Sequence, residues 1–173
     1  VIRQNGEVSV NSRKVVSNKA LNLNEGDSIK AVGPKSFVQV KLEHGEVILI
    51  KNGEFIVKGE QNKKTNSTVI QLLRGKIFIH VDKENKDKRK FVLHTKSATM
   101  GVRGTKFFVT EDNKQSYLCV CEGAVSIKNK SLTKLVTKGQ DVFATPTGKL
   151  KVHKVSKVMW KVATEAFIEM GKY

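Results

Sequence analysis

The 173 residues suffice for one ordinary domain with or without an appendage, and 39% hydrophobic with only 6% aromatic residues predicts a core of Val, Ile and Leu. Lys+Arg 32 against Asp+Glu 16 gives a net charge of +16, which attracts polyanions through its field. No run of about 18 apolar residues is present, which excludes a helical membrane span, and without an initiating Met or a signal-peptide pattern the chain is read as a mature or trimmed form.

Short alternating stretches separated by turn residues fill most of the sequence. Gly6 to Val10 reads as a first strand, and Leu23-Asn-Glu-Gly-Asp27 as a turn delivering Ser28 to Val32. Gly33-Pro34 is expected to break that strand. From Phe37 to Leu42 the pattern alternates, and His44-Gly45 reads as a turn. Glu46 to Ile50 is apolar on both faces, as in a strand buried on two sides. Asn52-Gly53 is the strongest hairpin signal, feeding Phe55 to Val57.

After a polar loop over 59–66, Thr68 to Leu73 and Lys76 to Val81 flank a turn at Arg74-Gly75, and the charged stretch 82–90 is read as a mobile loop. Phe91 to Thr95, Phe107 to Val109, Ser116 to Cys121, Ala124 to Ile127, Leu132 to Val136 and Asp141 to Ala144 complete the strands, ending in a turn over 145–148. Such a series, with about a dozen strands and a turn every 6 to 12 residues, predicts an all-β fold: a sandwich, jelly roll or solenoid. Residues 1–150 are assigned to this β domain and 151–173 to a C-terminal amphipathic helix appended to it.

That last segment changes period. Val155, Val158, Met159, Val162, Ala163, Ala166, Phe167 and Met170 recur at spacings of three and four, with Ser156 as N-cap and Gly171 as the C-terminal stop. The plain expectation is a helix packed on the edge or end of the sheet. Val155, Val158, Met159, Val162 and Phe167 are also the candidate face for docking a protein partner, or for lying on an anionic membrane, a use that Glu165 and Glu169 oppose.

Two glycines enclose a Val-Arg pair in Gly101-Val102-Arg103-Gly104-Thr105, which leads into Phe107. The pattern reads as a tight corner between strands, with Arg103 turned inward to bond carbonyls across the β layers and the glycines allowing close approach. Gly101, Val102, Arg103, Gly104, Thr105 and Phe107 are therefore the candidate structural keystone.

No catalytic set emerges. His44, His80, His94 and His153 lack a metal-ligand spacing, no nucleophile elbow or phosphate loop is present, and the carboxylates are scattered. Cys119 and Cys121 would face the same side of a strand with Cα atoms about 6.5–7 Å apart, near the limit for a disulfide, so free thiols are expected. Neither an enzyme nor a metal or cofactor is expected. Lysines such as Lys63, Lys64, Lys83, Lys86, Lys88, Lys90, Lys128 and Lys130 read as a solvated surface, with a polyanion site as the alternative.

Several segments together resemble the FecR domain: Leu23-Asn-Glu-Gly-Asp27, the hairpin over 38–49, Leu72-Leu-Arg-Gly-Lys-Ile77, Phe91 to Thr95 followed by Ala98 to Phe107, Val120 to Val125, and Lys138-Gly-Gln140. The resemblance covers roughly residues 5–145. It implies a non-catalytic, jelly-roll or solenoid-like β-sandwich outside the bacterial cytoplasm, which in the namesake regulators relays a receptor signal to a sigma factor. The chain has neither the cytoplasmic anti-sigma segment nor the membrane span of those regulators. A stand-alone, periplasmic or otherwise exported domain for protein–protein interaction, sensing or scaffolding is therefore expected. The alternatives are a basic binder of envelope polyanions or glycans and the periplasmic part of an anti-sigma regulator. Expected partners are an envelope protein and, on the second reading, acidic glycans or lipid headgroups; nucleic acid is not expected.

Overall fold

The computed structural model describes residues 3–15, 22–42, 45–58, 67–82 and 90–172. His44, the loop over 59–66, most of the charged stretch after Asp82, and Lys63, Lys64, Lys83, Lys86 and Lys88 lie outside the described residues.

The described residues form thirteen strands and one helix: β1 (Arg3–Val10), β2 (Arg13–Lys14), β3 (Ser28–Lys41), β4 (Val47–Lys58), β5 (Ser67–His80), β6 (Lys90–His94), β7 (Thr99–Val102), β8 (Lys106–Glu111), β9 (Ser116–Glu122), β10 (Ala124–Lys128), β11 (Thr133–Thr137), β12 (Gln140–Ala144), β13 (Lys151–Lys154) and α1 (Lys157–Glu169). The fold is all-β with a C-terminal helix. β13 pairs antiparallel with β12, so the sheet runs on past residue 150 and the helix starts after Ser156.

All strands share one hydrogen-bonded network that branches at β5. The first half of β5 pairs in parallel with β6 (Ser67↔Lys90 to Gln71↔His94), and its second half pairs antiparallel with β8 (Gly75↔Glu111 to His80↔Lys106). One branch continues β6-β7-β10-β11 and the other β8-β9-β12-β13. The two branches lie over each other, and Phe91 of β6 meets Phe107 of β8 edge to face at 6.4 Å between ring centres.

The long strands make this doubling possible. The register shifts between Asn5 and Glu7 in β1, between Ala31 and Phe37 in β3, and between Lys51 and Glu54 in β4. These irregularities face one another across adjacent strands and form a crease that divides every long strand between an upper and a lower layer. Gly53 and Gly75 meet there: a Cβ on Gly75 would lie 2.4 Å from both Asn52 O and Gly53 Cα, and Gly75 has φ +96°. Ser36 holds the crease at β3, its hydroxyl donating to Val32 O and accepting from the Glu7 amide at 3.1 Å.

Three sequence expectations are thereby corrected. Gly33-Pro34, Asn52-Gly53 and Arg74-Gly75 are not strand ends or chain reversals; β3, β4 and β5 run straight through them. A glycine-bearing pair permits a bulge as readily as a hairpin. Here the neighbouring strands continue on both sides, so the chain bends without turning back.

The period-two pattern then fills two cores. Val38, Val40, Ile48, Ile50, Ile77, Ile79, Phe107, Val109, Leu118 and Val120 face inward between the layers, against Ile29, Phe55, Ile70, Leu72, Phe91, Met100, Val102 and Val125. The alternate residues Val47, Leu49, Phe78, Phe108, Tyr117 and Cys119 face outward from the lower layer and are covered by α1. The continuous apolar run Val47 to Ile50 is thus buried on both faces, each residue at most 3% exposed.

Candidate interaction surfaces

The corner residues separate by direction. Val102 pairs with Phe91 and with Val125 and lies in the inner core, as does Phe107, paired with Val120 and Ile79. Arg103 goes the other way: it is exposed and makes no hydrogen bond or ion pair among the described residues. The inward fastener expected of it is corrected. The reason is local, because Val102 already fills the inward position and the chain must turn between β7 and β8.

The flanking glycines differ from one another. Gly104 has φ +59° and is buried, its carbonyl pressed close to Gly123. Gly101 has an ordinary strand φ, and a Cβ there would meet nothing within 4 Å. It leaves bare backbone on the outward face of the upper layer, between Val92 and Ser126 in the flanking strands.

Gly104 and Thr105 also form one wall of a cavity of about 260 Å³, completed by His80, Val81, Asp82, Lys106 and Glu122. Lys106 and Glu122 pair across it at 3.1 Å. Desolvation, then repulsion from Lys172 and Lys106, holds the His80 imidazole below its ordinary pKa. His94, beside the other half of β5, bonds Thr99 Oγ1 through Nδ1 at 2.9 Å, and burial lowers its pKa as well. No group of His, Cys, Asp or Glu able to hold a metal is present among the described residues.

The C-terminal helix lies on a sheet face rather than an edge or end. Ser156 caps it by accepting from the Met159 amide at 3.2 Å. At the other end the amides of Gly171 and Lys172 return to the carbonyls of Ile168 and Phe167, both at 2.9 Å, closing a Schellman motif with Gly171 at φ +68°. Phe167 is fully buried and meets Phe78 edge to face at 6.2 Å. Val155, Met159 and Val162 are partly buried against the same cluster. Val158 points away, 71% exposed, and with Ile168 at 58% marks the helix's outward face. Glu169 clamps the end of the helix to the sheet through Lys51 at 2.5 Å and Arg3 at 3.4 Å.

Under the helix, Tyr117 donates its hydroxyl to Asp141 Oδ2 at 2.8 Å, and burial followed by that bond pushes the phenol pKa well upward. Cys119 and Cys121 are free thiols, Cys119 buried and Cys121 partly so. A hydrogen bond with Cys121, then burial, raises the Cys119 pKa. Cys119 is therefore a packing residue rather than a nucleophile.

Residues 30–126 match the family described as FecR protein, more than half of the chain. The chain belongs to the FecR family. Among solved structures, it is similar to a Parabacteroides distasonis ATCC 8503 protein provisionally described as an anti-sigma factor. The crystal structure at 1.65 Å resolution superposes with TM-score 0.61 at 18% identity, covering 76% of this chain and 62% of that one. A second, at 2.50 Å resolution, gives TM-score 0.61 at 17% identity, covering 80% and 62%. This FecR chain therefore spans less than two thirds of the length of those proteins, and the likeness is one of fold. Among curated proteins, none matches.

The FecR match contains the whole corner and the crease in β3, β4 and β5 but not its β1 part, running from within β3 to within β10. It ends before β11 and α1. Sequence reasoning found the corner from its glycines and the helix from its period. It missed the aligned bulges, because Gly33-Pro-Lys-Ser36, Lys51-Asn-Gly-Glu54 and Arg74-Gly-Lys76 carry the same polar and glycine residues that a turn would.

Proposed function

We propose that this FecR chain is a non-enzymatic, exported interaction module of a bacterial signalling system, recognised by a protein partner in the cell envelope. The observation that carries this reading is the Arg103 corner. Within the family-matched segment, Val102 and Phe107 are locked in the core, while the arginine between them is presented to solvent without a partner among the described residues. A guanidinium held out on a rigid corner is suited to a planar, bidentate contact with a partner carboxylate. The anti-sigma description of the Parabacteroides protein favours a particular setting. In it, this domain serves as the envelope-side part of a regulator that acts on a sigma factor.

Envelope extract is passed over the immobilised chain, and the captured protein is identified and re-bound in purified form. Arg103→Ala is expected to weaken the purified interaction by about 1–3 kcal/mol while leaving the melting temperature in place. Unchanged binding by this variant would remove the corner from the recognition surface. Export is tested separately by fractionating cells that express the native gene.

A further inference from the structure

We propose that the cradle formed by Lys96, Lys128 and Lys130 is a binding site for phosphate groups. The pairing of β7 with β10 puts Thr99 opposite Lys128, so the turn after β6 meets the turn after β10 at one end of the upper layer. Between them, with Pro146 at the rim, lies a cavity of about 430 Å³ lined by residues 95–99 and 128–130. Three lysines line it and, among the described residues, no Asp or Glu does.

The frame is fixed by its own hydrogen bonds. Thr95 Oγ1 accepts from the amides of Ser97 (3.2 Å) and Ala98 (3.0 Å) and donates to Ser116 Oγ at 2.6 Å, whose own proton goes to the buried Glu111 Oε2. Asn129 Oδ1 accepts from the amides of Ser131 (3.1 Å) and Leu132 (2.9 Å), and Nδ2 donates to the carbonyls of Thr145 (2.9 Å) and Gly148 (2.7 Å). Because these floor groups are already committed, the unspent chemistry of the cavity is positive charge.

Among the described residues Lys51 pairs with Glu169, Lys106 with Glu122 and Lys161 with Glu165, while lysines such as Lys134, Lys138 and Lys151 stand singly without an ion pair; what sets the cradle apart is that three lysines line one cavity. Lys128 and Lys130 form no ion pair among the described residues, and Lys96 reaches only the neutral Asn113 Oδ1 at 3.0 Å. Like charges gathered without a counter-ion repel, and a bound anion removes that repulsion. Phosphate brings close to two charges and three acceptor oxygens near neutral pH, which matches three ammonium donors better than a single carboxylate does.

The test is a titration of the isotope-labelled chain with inorganic phosphate at low ionic strength, followed by amide NMR. Saturable shifts are expected at residues 95–99 and 128–130. The variant K96Q/K128Q/K130Q should bind at least about tenfold more weakly, equivalent to about 1.4 kcal/mol. K151Q/K154Q/K157Q removes the same charge elsewhere and should stay within about twofold. Shifts that do not saturate, or equal weakening in both variants, would overturn the site in favour of diffuse net charge. Parallel titrations with glucose 6-phosphate and with phosphatidylglycerol vesicles, against phosphatidylcholine vesicles, assign the source. Tightening over free phosphate on the sugar or on the anionic vesicle identifies a glycan or a lipid headgroup, and no tightening on either identifies the free anion.

Discussion

Single residues carry opposite consequences although they look alike in the sequence. Gly75→Ala is expected to cost about 2–4 kcal/mol, combining left-handed backbone with a steric overlap that only backbone movement relieves. Gly101→Ala, facing open space in an ordinary strand conformation, should be neutral or stabilising by about 0.5–1 kcal/mol. Thermal melts of the two variants side by side check the distinction. Both glycines were visible in the sequence, but a glycine does not announce whether it is needed for φ, for close approach, or for neither. Arg103 failed in the same manner, since nothing local says that Val102 rather than the arginine takes the inward position. Histidines provide a pH test. Burial lowers the pKa of His80 and His94, so the unfolded chain protonates first as pH falls through about 6.5. Their contribution is complete above that value and declines below it, toward the folded pKa values. Melting temperature measured from pH 8 to 5 should fall at the acid end, and H80Q/H94Q should lose that part of the fall.

At the scale of elements, α1 shows why an amphipathic pattern was readable and its destination was not. Spacings of three and four give the buried side directly, and Ser156 and Gly171 mark both ends. The receiving surface is scattered over β4, β5, β8 and β9, and although Glu46 to Ile50 reads as apolar on both faces, nothing in that run says that a helix beginning only at Lys157 covers one of them. Phe167→Ala should destabilise by about 3–5 kcal/mol, because the ring is fully enclosed. Thiol labelling gives a second readout. Cys119 is expected to resist alkylation in the native chain and to become reactive when the helix is loosened by that substitution, because the helix covers it. Equal labelling of both proteins would mean that the helix lifts freely without help.

For the whole molecule, the all-β class and the approximate number of strands were legible, because period-two alternation and turn residues are local signals. The doubling of the sheet was not, because it depends on bulges lining up across strands far apart in sequence. The charge of +16 likewise has a structural component that composition hides. Among the described residues the network ends at β2, with Arg13 and Lys14, β11, with Lys134, and β13, with Lys151 and Lys154. Lys134 shares its strand face with the core residue Val136. Cations on edge strands oppose pairing with another sheet. Replacing Lys134 by Val should therefore promote self-association, measurable by sedimentation, with little change in the monomer's fold.

The crease has one more implication. Strands β3, β4 and β5 serve both layers, so although each layer has its own outer branch of four strands, neither can be cut out, lost or melted without breaking the three strands it shares with the other. Amide exchange should then find one protected class spanning Ile29, Ile48, Ile70 and Ile79 rather than a strong half and a weak half. A ligand gripping the rim of the upper layer would stabilise the seat of the helix on the far side, with no moving part between them.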